Sequence, residues 1–208
     1  MIRTEHREEQ WPFSFVKYAP QCTTENLPLI IQLHGAGERG NGKEELEMVD
    51  ILGFSNYLKS NDHNCIVLMP QCPADTFWAA HVESIIKFTE QAIKEFKADP
   101  KRVYLTGLSM GGFGTWYTAM ARPDLFAAIA PVCGGGMAWN ASVLKMPVWT
   151  FHGTEDTTVS PNQTEEMVRA LMDAGADVKY TRLEGVGHNA WSYTYNKELM
   201  EWFLSHSK

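Results

Sequence analysis

Short apolar stretches alternate with longer amphipathic stretches along this chain, and that alternation limits the possible folds more than any other feature. Seven stretches have the length and the apolar or β-branched residues of strands: 13–18, 29–33, 66–69, 103–106, 127–132, 148–151 and 178–182. Several are apolar throughout, which is typical of parallel strands that helices cover on both faces. The pattern predicts an α/β fold with a mostly parallel sheet of about seven strands and helices on both faces.

Four longer stretches have the periodicity of amphipathic helices: 84–96, 112–121, 161–174 and 196–204. The loop after the strand at 13–18 is too short for a crossover helix, so we expect this strand to be antiparallel and at the edge of the sheet. No repeat, linker or long insertion divides the sequence. We therefore expect a single domain over residues 1–208, without a large cap.

Charge and hydropathy exclude several classes of protein. The formal net charge is −7 at pH 7, and no stretch gathers Lys and Arg into a patch. Neither nucleic acid nor a membrane surface is therefore an expected partner. No segment approaches the ~20 apolar residues of a membrane span, and the polar start of the sequence lacks a signal-peptide core. We expect a cytoplasmic protein.

The cysteine spacing gives no sign of a disulfide framework or of a metal site. Cys22, Cys65, Cys72 and Cys133 are widely spaced and include no CxxC pair. A chain of this length needs no disulfide to fold, and structural zinc sites use closely spaced pairs of ligands. We expect buried free thiols, and neither a metal nor an organic cofactor.

Candidate reactive residues follow three of the predicted strands. In an open parallel sheet, ligands bind beyond the carboxyl ends of the strands. Ser109 follows the strand at 103–106, Asp156 follows the strand at 148–151, and His188 follows the last strand. A serine hydroxyl needs a base to take its proton, and a carboxylate orients that base. The order Ser, Asp, His along the chain is that of enzymes whose nucleophile lies on a strand-turn-helix elbow.

The serine lies in the pattern Gly-x-Ser-x-Gly, formed by Gly107, Ser109 and Gly111. In an elbow, small residues two before and two after the serine prevent collisions with neighbouring strands and the following helix. A glycine-rich turn with an unreactive serine is the alternative. The position after a β-like stretch and before a helix favours the nucleophile.

The acid and the base each have an alternative interpretation. Asp156 is the preferred acid, but Glu155 precedes it directly, and an aspartate here also suits a turn or a helix N-cap. His188 is the preferred base, although a lone loop histidine is often only exposed to solvent. Of the other histidines, His34 and His152 belong to His-Gly turns, and the remaining four lie in polar or terminal segments or before a helix.

Two backbone N–H groups should meet the oxyanion of an attacked carbonyl, each contributing roughly 3 kcal/mol. We expect one from Met110, directly after the serine, and the other from Ala36 in "HGAGERG", the loop after the strand at 29–33. The glycines of this loop, Gly37 among them, would let a substrate approach the backbone closely. A phosphate-binding loop of the Walker type is excluded because the Lys-Ser/Thr pair that it requires is missing.

Together, "LHGAGERG", "PQCP", "GLSMGGFGTW", "ARPDLFAAIAPVCGGG", "HGTEDTTV" and "GHNAW" resemble the α/β-hydrolase superfamily. The sequence is most similar to small serine esterases of the phospholipase/carboxylesterase, dienelactone hydrolase and feruloyl-esterase types, over nearly the whole chain. The resemblance implies Ser109 as nucleophile, Asp156 as acid, His188 as base, and Ala36 and Met110 as oxyanion donors. Dienelactone hydrolases proper use a cysteine nucleophile, so the serine favours ordinary esters.

We therefore predict a serine esterase that acts on small-molecule esters with short acyl or aryl groups. A serine peptidase or amidase on the same scaffold is the alternative, although its larger relatives carry a propeller or a cap. Trp78 and Trp191 are candidates for a substrate pocket, but either could instead pack in the core. Glu38 and Arg39 could orient a polar substrate group or simply pair with each other.

Overall fold

A single eight-stranded sheet forms the centre of the protein, in a computed structural model that describes residues 1–22 and 25–208. In chain order the strands are β1 Ile2–His6, β2 Phe15–Ala19, β3 Leu29–Leu33, β4 Ile66–Pro70, β5 Val103–Leu108, β6 Ala128–Val132, β7 Val148–Gly153 and β8 Val178–Leu183. Their spatial order is β1-β2-β4-β3-β5-β6-β7-β8. β2 is antiparallel to both of its neighbours, and the other pairs are parallel. The mostly parallel sheet predicted from the sequence is confirmed.

Helices cover both faces of the sheet. The α-helices are α1 Phe54–Leu58, α2 Val82–Glu95, α3 Met110–Ala121, α4 Asn162–Asp173, α5 Trp191–Thr194 and α6 Lys197–Leu204. Short 3-10 turns occur at Ala36–Glu38, Leu46–Asp50, Trp78–His81 and Ala138–Val143. Helices α2, α3 and α4 pack against one face, and α1 and α6 pack against the other, so each face has its own apolar core.

β3 shows why the central strands are largely apolar on both faces. Successive side chains of a strand point to opposite faces of the sheet. Leu29 and Ile31 enter the core under α2 and α3, whereas Ile30 enters the core under α1 and α6, and all three are fully buried. A strand that is covered on both sides has no position for an exposed polar side chain.

The prediction that the strand at 13–18 forms the edge of the sheet was wrong. That strand, observed as β2, is antiparallel as expected, but β1 pairs along its outer side, in register from Ile2 opposite Ala19 to His6 opposite Phe15. β1 has the sequence IRTEH, with a single apolar residue, so its hydrophobic pattern gave no signal. Backbone pairing and an ion pair between Arg3 and Asp50, at 2.6 Å, hold it in place instead.

The order of the strands reverses at β3. From β3 the chain passes to β4 on one side, and then returns to β5 on the other side before continuing outward to β8. Such a switch point leaves a crevice between the loops that follow the two central strands, and ligands bind there in open α/β sheets. Here these are the loop after β3 and the turn after β5, which the sequence had singled out.

Two further expectations concern the chain as a whole. All four cysteines are free thiols, as predicted, but Cys22 is exposed whereas the other three are buried. Within residues 1–22 and 25–208, no helix combines the length and the apolar character needed to cross a bilayer.

Candidate active site

β5 passes into α3 through a sharp turn at Ser109, whose backbone has φ 53° and ψ −117°. A residue other than glycine is strained in this region, and such strain persists only where the surrounding structure enforces it. Here the N–H of Ser109 donates a hydrogen bond to the carbonyl of Val132 at 2.9 Å, which ties the turn to the end of β6. The serine side chain is consequently held at the carboxyl edge of the sheet, only partly buried.

Close packing around this turn requires glycine on both sides of the serine. A Cβ atom on Gly107 would overlap the carbonyl oxygen of Gly111, and a Cβ atom on Gly111 would overlap the carbonyl oxygen of Leu33 in β3. Both obstacles are backbone atoms of regular elements, which cannot move aside cheaply. The steric requirement predicted for Gly-x-Ser-x-Gly is therefore present in the structure.

His188 lies in the loop between β8 and α5, directly above the turn that carries Ser109. The Oγ–H of Ser109 donates to Nε2 of His188 at 2.8 Å, across 79 residues of sequence. The imidazole is partly exposed, and its ring meets the indole of Trp191 edge to face, with 5.2 Å between the ring centroids. The histidine is thus placed to take the hydroxyl proton.

Asp156, in the loop after β7, completes a hydrogen-bonded chain. Nδ1–H of His188 donates to Oδ2 of Asp156 at 2.7 Å, and the N–H groups of Thr158 and Val159 both donate to Oδ1 at 2.9 Å. Burial by itself would raise the pKa of Asp156, but the hydrogen bonds from His188 and from the two backbone groups outweigh it and hold the pKa below its usual value. The carboxylate is therefore ionised at neutral pH.

The structure distinguishes Asp156 from its rival Glu155. The Asp156 side chain is fully buried against the imidazole of His188. Glu155 is exposed, and its backbone N–H donates to the carbonyl of Val186. Asp156 is the acid that the geometry joins to His188, and it accepts turn N–H groups at the same time. The two interpretations of Asp156 from the sequence, as the acid and as a turn residue, are therefore both compatible with its contacts.

His152 is a second histidine on the same carboxylate, and the sequence reasoning set it aside as part of a His-Gly turn. It lies at the end of β7, with Nε2 3.2 Å from Oδ2 of Asp156 and 2.9 Å from the carbonyl oxygen of Val159. Both neighbours are acceptors, so Nε2 carries the hydrogen. Nδ1 faces the Thr164 hydroxyl at 2.7 Å. Burial lowers the pKa of His152, which keeps the ring neutral. In the sequence, the spacing of four residues between His152 and Asp156 is the feature that could have indicated this contact.

The two predicted oxyanion donors lie on adjoining segments. Met110 is the first residue of α3, and Ala36 begins the 3-10 turn after β3. The contact between Gly111 and Leu33 brings these segments together. In the described part of the chain, no acceptor faces the N–H of either residue, as expected at the start of a helix. Both groups are available to a ligand at the strand switch point.

Gly37 and the two charged residues after it behave differently from one another. Gly37 is exposed, and a Cβ atom there would meet nothing within 4 Å, so close packing does not explain this glycine. Arg39 donates to the carbonyls of Ala36 and Thr76, at 2.9 and 3.1 Å, and thereby ties the loop to the next one. Glu38 is buried, which raises its pKa, and its Oε2 lies 4.0 Å from Nδ1 of His34. The expected pairing of Glu38 with Arg39 is not observed among the described residues.

The structure contradicts a substrate-binding role for Trp78. Its side chain has no exposed surface, its indole N–H donates to the carbonyl of His34 at 3.0 Å, and its ring packs edge to face against Phe13. A side chain enclosed in this way offers no face to a substrate, so Trp78 is a core residue that supports the loop after β3. Its neighbour Phe77, with 55% of its surface exposed, lies at the protein surface instead.

Cys133 is the remaining group with reactive chemistry near these side chains. Its Sγ, a carboxylate oxygen of Asp156 and a ring nitrogen of His188 all lie within 4.8 Å of one another, a set that could hold a soft divalent cation. Burial raises the pKa of the Cys133 thiol to about 12, so the thiol keeps its proton at neutral pH and is a poor ligand. The other two groups are already hydrogen-bonded to each other.

Comparison with known proteins places this arrangement in a family. The sequence profile of the dienelactone hydrolase family matches residues 60–198. A bifunctional acetylxylan esterase/xylanase of Neocallimastix patriciarum is 30% identical over 189 residues, which cover 86% of this chain and 27% of that protein. A poly(3-hydroxyalkanoate) depolymerase of Paucimonas lemoignei is 27% identical, over 89% of this chain and 55% of that protein. The chain thus spans about a quarter and about half of these two relatives.

Solved structures agree with the sequence comparison. A thermostable esterase superposes with a TM-score of 0.81 at 30% identity, over 100% of this chain and 63% of that chain. The similarity to the α/β-hydrolase superfamily inferred from the motifs is confirmed by the family match and by this superposition.

Proposed function

This chain belongs to the dienelactone hydrolase family, and from that premise we propose that it hydrolyses carboxylic esters through an acyl-enzyme on Ser109. One observation carries the proposal: a hydrogen-bonded chain runs from Ser109 Oγ to His188 at 2.8 Å and from His188 to Asp156 at 2.7 Å. These two hydrogen bonds join a weak nucleophile to a base and the base to an ionised acid, which is what serine acyl transfer requires. Because one sheet carries all three residues, we also propose that residues 1–208 act as one domain.

In the first half of the proposed reaction, Ser109 Oγ attacks the ester carbonyl while Nε2 of His188 takes the hydroxyl proton. The N–H groups of Met110 and Ala36 donate to the oxyanion that forms, and the buried carboxylate of Asp156 stabilises the imidazolium. The imidazolium then protonates the leaving alkoxide. The alcohol departs, and the acyl group remains on the serine.

In the second half, a water molecule takes the place of the alcohol. Nε2 of His188 removes a proton from this water, and the resulting hydroxide attacks the acyl carbon. The second tetrahedral intermediate collapses, the serine oxygen recovers its proton from the imidazolium, and the carboxylic acid is released. Every proton transfer in this cycle passes through one nitrogen atom of His188. The residues needed are all in this chain, so the proposal requires neither a metal nor an organic cofactor.

We propose small esters with short acyl or aryl groups as the substrates. The names of several relatives support this class, because they include an acetylxylan esterase/xylanase, a feruloyl esterase and polyhydroxyalkanoate depolymerases. All of these names describe carboxylic esters, while the acyl groups and the alcohols differ widely.

Matched esters and amides test the reaction class. An ester's alkoxide leaves readily, whereas an amide nitrogen must be protonated as it departs. We expect kcat/KM for short acyl or aryl esters to exceed that for anilides of the same acyl group by at least ~10²-fold, or about 2.7 kcal/mol in transition-state free energy. Activity should persist after exhaustive EDTA treatment. Comparable rates on the anilides would favour a peptidase, and loss of activity restored by zinc would overturn the mechanism.

A further inference from the structure

A groove lined by aromatic side chains begins at the residue after Ser109 and runs along α3. Met110, Phe113 and Tyr117, from successive turns of α3, form one wall, and Phe77 and Ala79 form the other. The cavity measures about 270 Å³. A cavity of ~150 Å³ lined by apolar side chains is large enough to bind benzene. This groove therefore has space for an aromatic ring with a short chain attached.

The chemistry of the walls favours a flat, apolar ligand. None of the five lining side chains carries a charge, and the Tyr117 hydroxyl is their only hydrogen-bonding group. Phe77 has 55% of its surface exposed to solvent. Burying such surface under a ligand is favourable, and aromatic rings add favourable edge-to-face or offset contacts with a second ring. A two-carbon acyl group would leave most of these walls uncovered.

The position of the groove relative to the proposed reaction identifies the part of the ester that it receives. The leaving oxygen must lie near Nε2 of His188, which protonates it, so the alcohol lies on the side of His188 and Trp191. The groove contains no residue of that loop, and its second wall, Phe77 and Ala79, follows β4, which lies on the other side of β5 from β8, the strand before His188. The acyl carbon is bonded to both the serine oxygen and the acyl chain. The acyl chain of the ester faces away from His188 and therefore enters the groove.

We infer that this groove is the acyl subsite and that it takes an arylalkanoyl or cinnamoyl-type acyl group in preference to acetyl. The inference rests on the proposed function and decides between the short acyl and aryl classes that the function leaves open. Another cavity, of about 360 Å³, is lined in part by Ile66, the first residue of β4, and so lies at the opposite edge of the sheet from Ser109.

Two p-nitrophenyl esters with the same leaving group test the inference. We expect kcat/KM of the unmodified protein to be at least ~10-fold higher for the phenylpropionate than for the acetate, because an added ring in an apolar pocket contributes more than the 10-fold minimum of a single methylene. Phe113→Ala and Tyr117→Ala should each lower the phenylpropionate value by ~10-fold and change the acetate value by less than ~2-fold. Tyr117→Phe should retain the preference because the ring remains.

Two controls distinguish an acyl subsite from an alcohol subsite and from a purely structural role of the groove. Trp139→Ala removes an aromatic side chain that is 82% exposed and outside the groove, and should change neither ester. Methyl acetate and benzyl acetate vary the alcohol at a constant acyl group, and Phe113→Ala should leave their ratio unchanged. A loss confined to benzyl acetate would place the alcohol in the groove, and equal losses on both p-nitrophenyl esters would indicate a merely structural role. Either result overturns the inference.

A measurement on the unmodified protein guards against variants that do not fold. The phenylpropionate anion should inhibit hydrolysis of p-nitrophenyl acetate competitively, at a concentration at least ~10-fold below that of propionate. Equal inhibition by the two anions would overturn the inference. Failure of the proposed function itself would look different, because the protein would then cleave neither p-nitrophenyl ester and a fluorophosphonate would not label Ser109.

Discussion

Around Ser109, a Cβ atom on either flanking glycine would overlap backbone, whereas the loop around His188 is open. In that loop a Cβ atom on Gly185 would meet nothing within 4 Å, and one on Gly187 would meet only a carbonyl oxygen at 3.8 Å. Steric exclusion by the sheet and α3 therefore fixes the serine. Hydrogen bonds to Ser109 and Asp156, together with the contact with Trp191, fix the histidine.

This difference predicts that the serine turn and the histidine loop are sensitive to different kinds of substitution. In the serine turn, added volume should be damaging because no atom can move aside. At Gly187 in the histidine loop, added volume should be tolerated, and removal of a hydrogen-bonding partner of His188 should be damaging. The following variants test that division, in order of decreasing expected effect.

Ser109→Ala removes the proposed nucleophile and leaves the packing of the turn intact. We expect kcat to fall by ~10³ to 10⁶-fold, since members of such a triad act as a unit. Thermal unfolding should show little change, because alanine occupies the space of the serine. A fluorophosphonate should label the unmodified protein at Ser109 and should not label the variant. Labelling that survives the substitution would place the nucleophile elsewhere.

Asp156→Asn removes the charge that holds His188 and keeps the shape of the side chain. We expect kcat to fall by ~10⁴-fold, because an amide no longer selects the tautomer with hydrogen on Nδ1. Glu155→Gln is the matched control, and it should reduce kcat by less than ~3-fold because Glu155 is exposed. Steady-state kinetics on one activated ester compare the two. A larger loss in Glu155→Gln would move the acid by one position.

Gly111→Ala and Gly187→Ala add the same methyl group to the two regions. We expect Gly111→Ala to lower the free energy of unfolding by ~3 kcal/mol, because its Cβ would overlap the Leu33 carbonyl oxygen. Gly187→Ala should change it by less than ~0.5 kcal/mol. Urea unfolding followed by fluorescence gives both values. Similar losses in the two variants would remove the distinction between steric and hydrogen-bonded control.

His152→Leu tests whether the Nε2–H of His152, 3.2 Å from Oδ2 of Asp156, positions the base at a distance. We expect kcat/KM to fall by ~10-fold through a small displacement of Asp156 and His188. With one donor fewer, the carboxylate becomes more basic and stabilises the imidazolium of His188 more strongly. The acid limb of the pH profile of kcat/KM should therefore move to higher pH.

Thr164→Val is the control for His152→Leu. It alters the buried surroundings of His152 but leaves the N–H that faces Asp156 in place. This variant should not move the acid limb. If both variants lower activity without moving the limb, His152 supports the fold and does not act on Asp156.

The sequence predicted most accurately the elements whose signal is local. The central strands were found because both of their faces are buried, so their hydrophobicity is continuous. β1 was missed because its stability comes from pairing with β2 and from the contact of Arg3 with Asp50, at 2.6 Å. A partner 47 residues away leaves no periodicity in a five-residue strand. The position of β2 inside the sheet was missed for the same reason.

Around the site, the sequence reasoning succeeded with side chains that follow a strand and failed where burial decides the role. Ser109, Asp156 and His188 could be proposed because parallel strands bring their carboxyl ends to one edge. Trp78 looked like a pocket residue for the same reason, but its loop turns the indole into the core. The aromatic groove could not be foreseen as a unit, because it joins α3 to a segment more than thirty residues earlier.

By itself, the sequence determined the class of fold, the edge of the sheet at which chemistry can occur, and the need for glycine on both sides of Ser109. These depend on local hydrophobicity and on backbone sterics, which the order of residues encodes directly. Only the tertiary structure decided which acid meets His188, that His152 shares its carboxylate, and which aromatic side chains remain open to a ligand. Those outcomes depend on distances between residues that are remote along the chain, and a hydrogen bond or an exposed ring exists only when such distances are set.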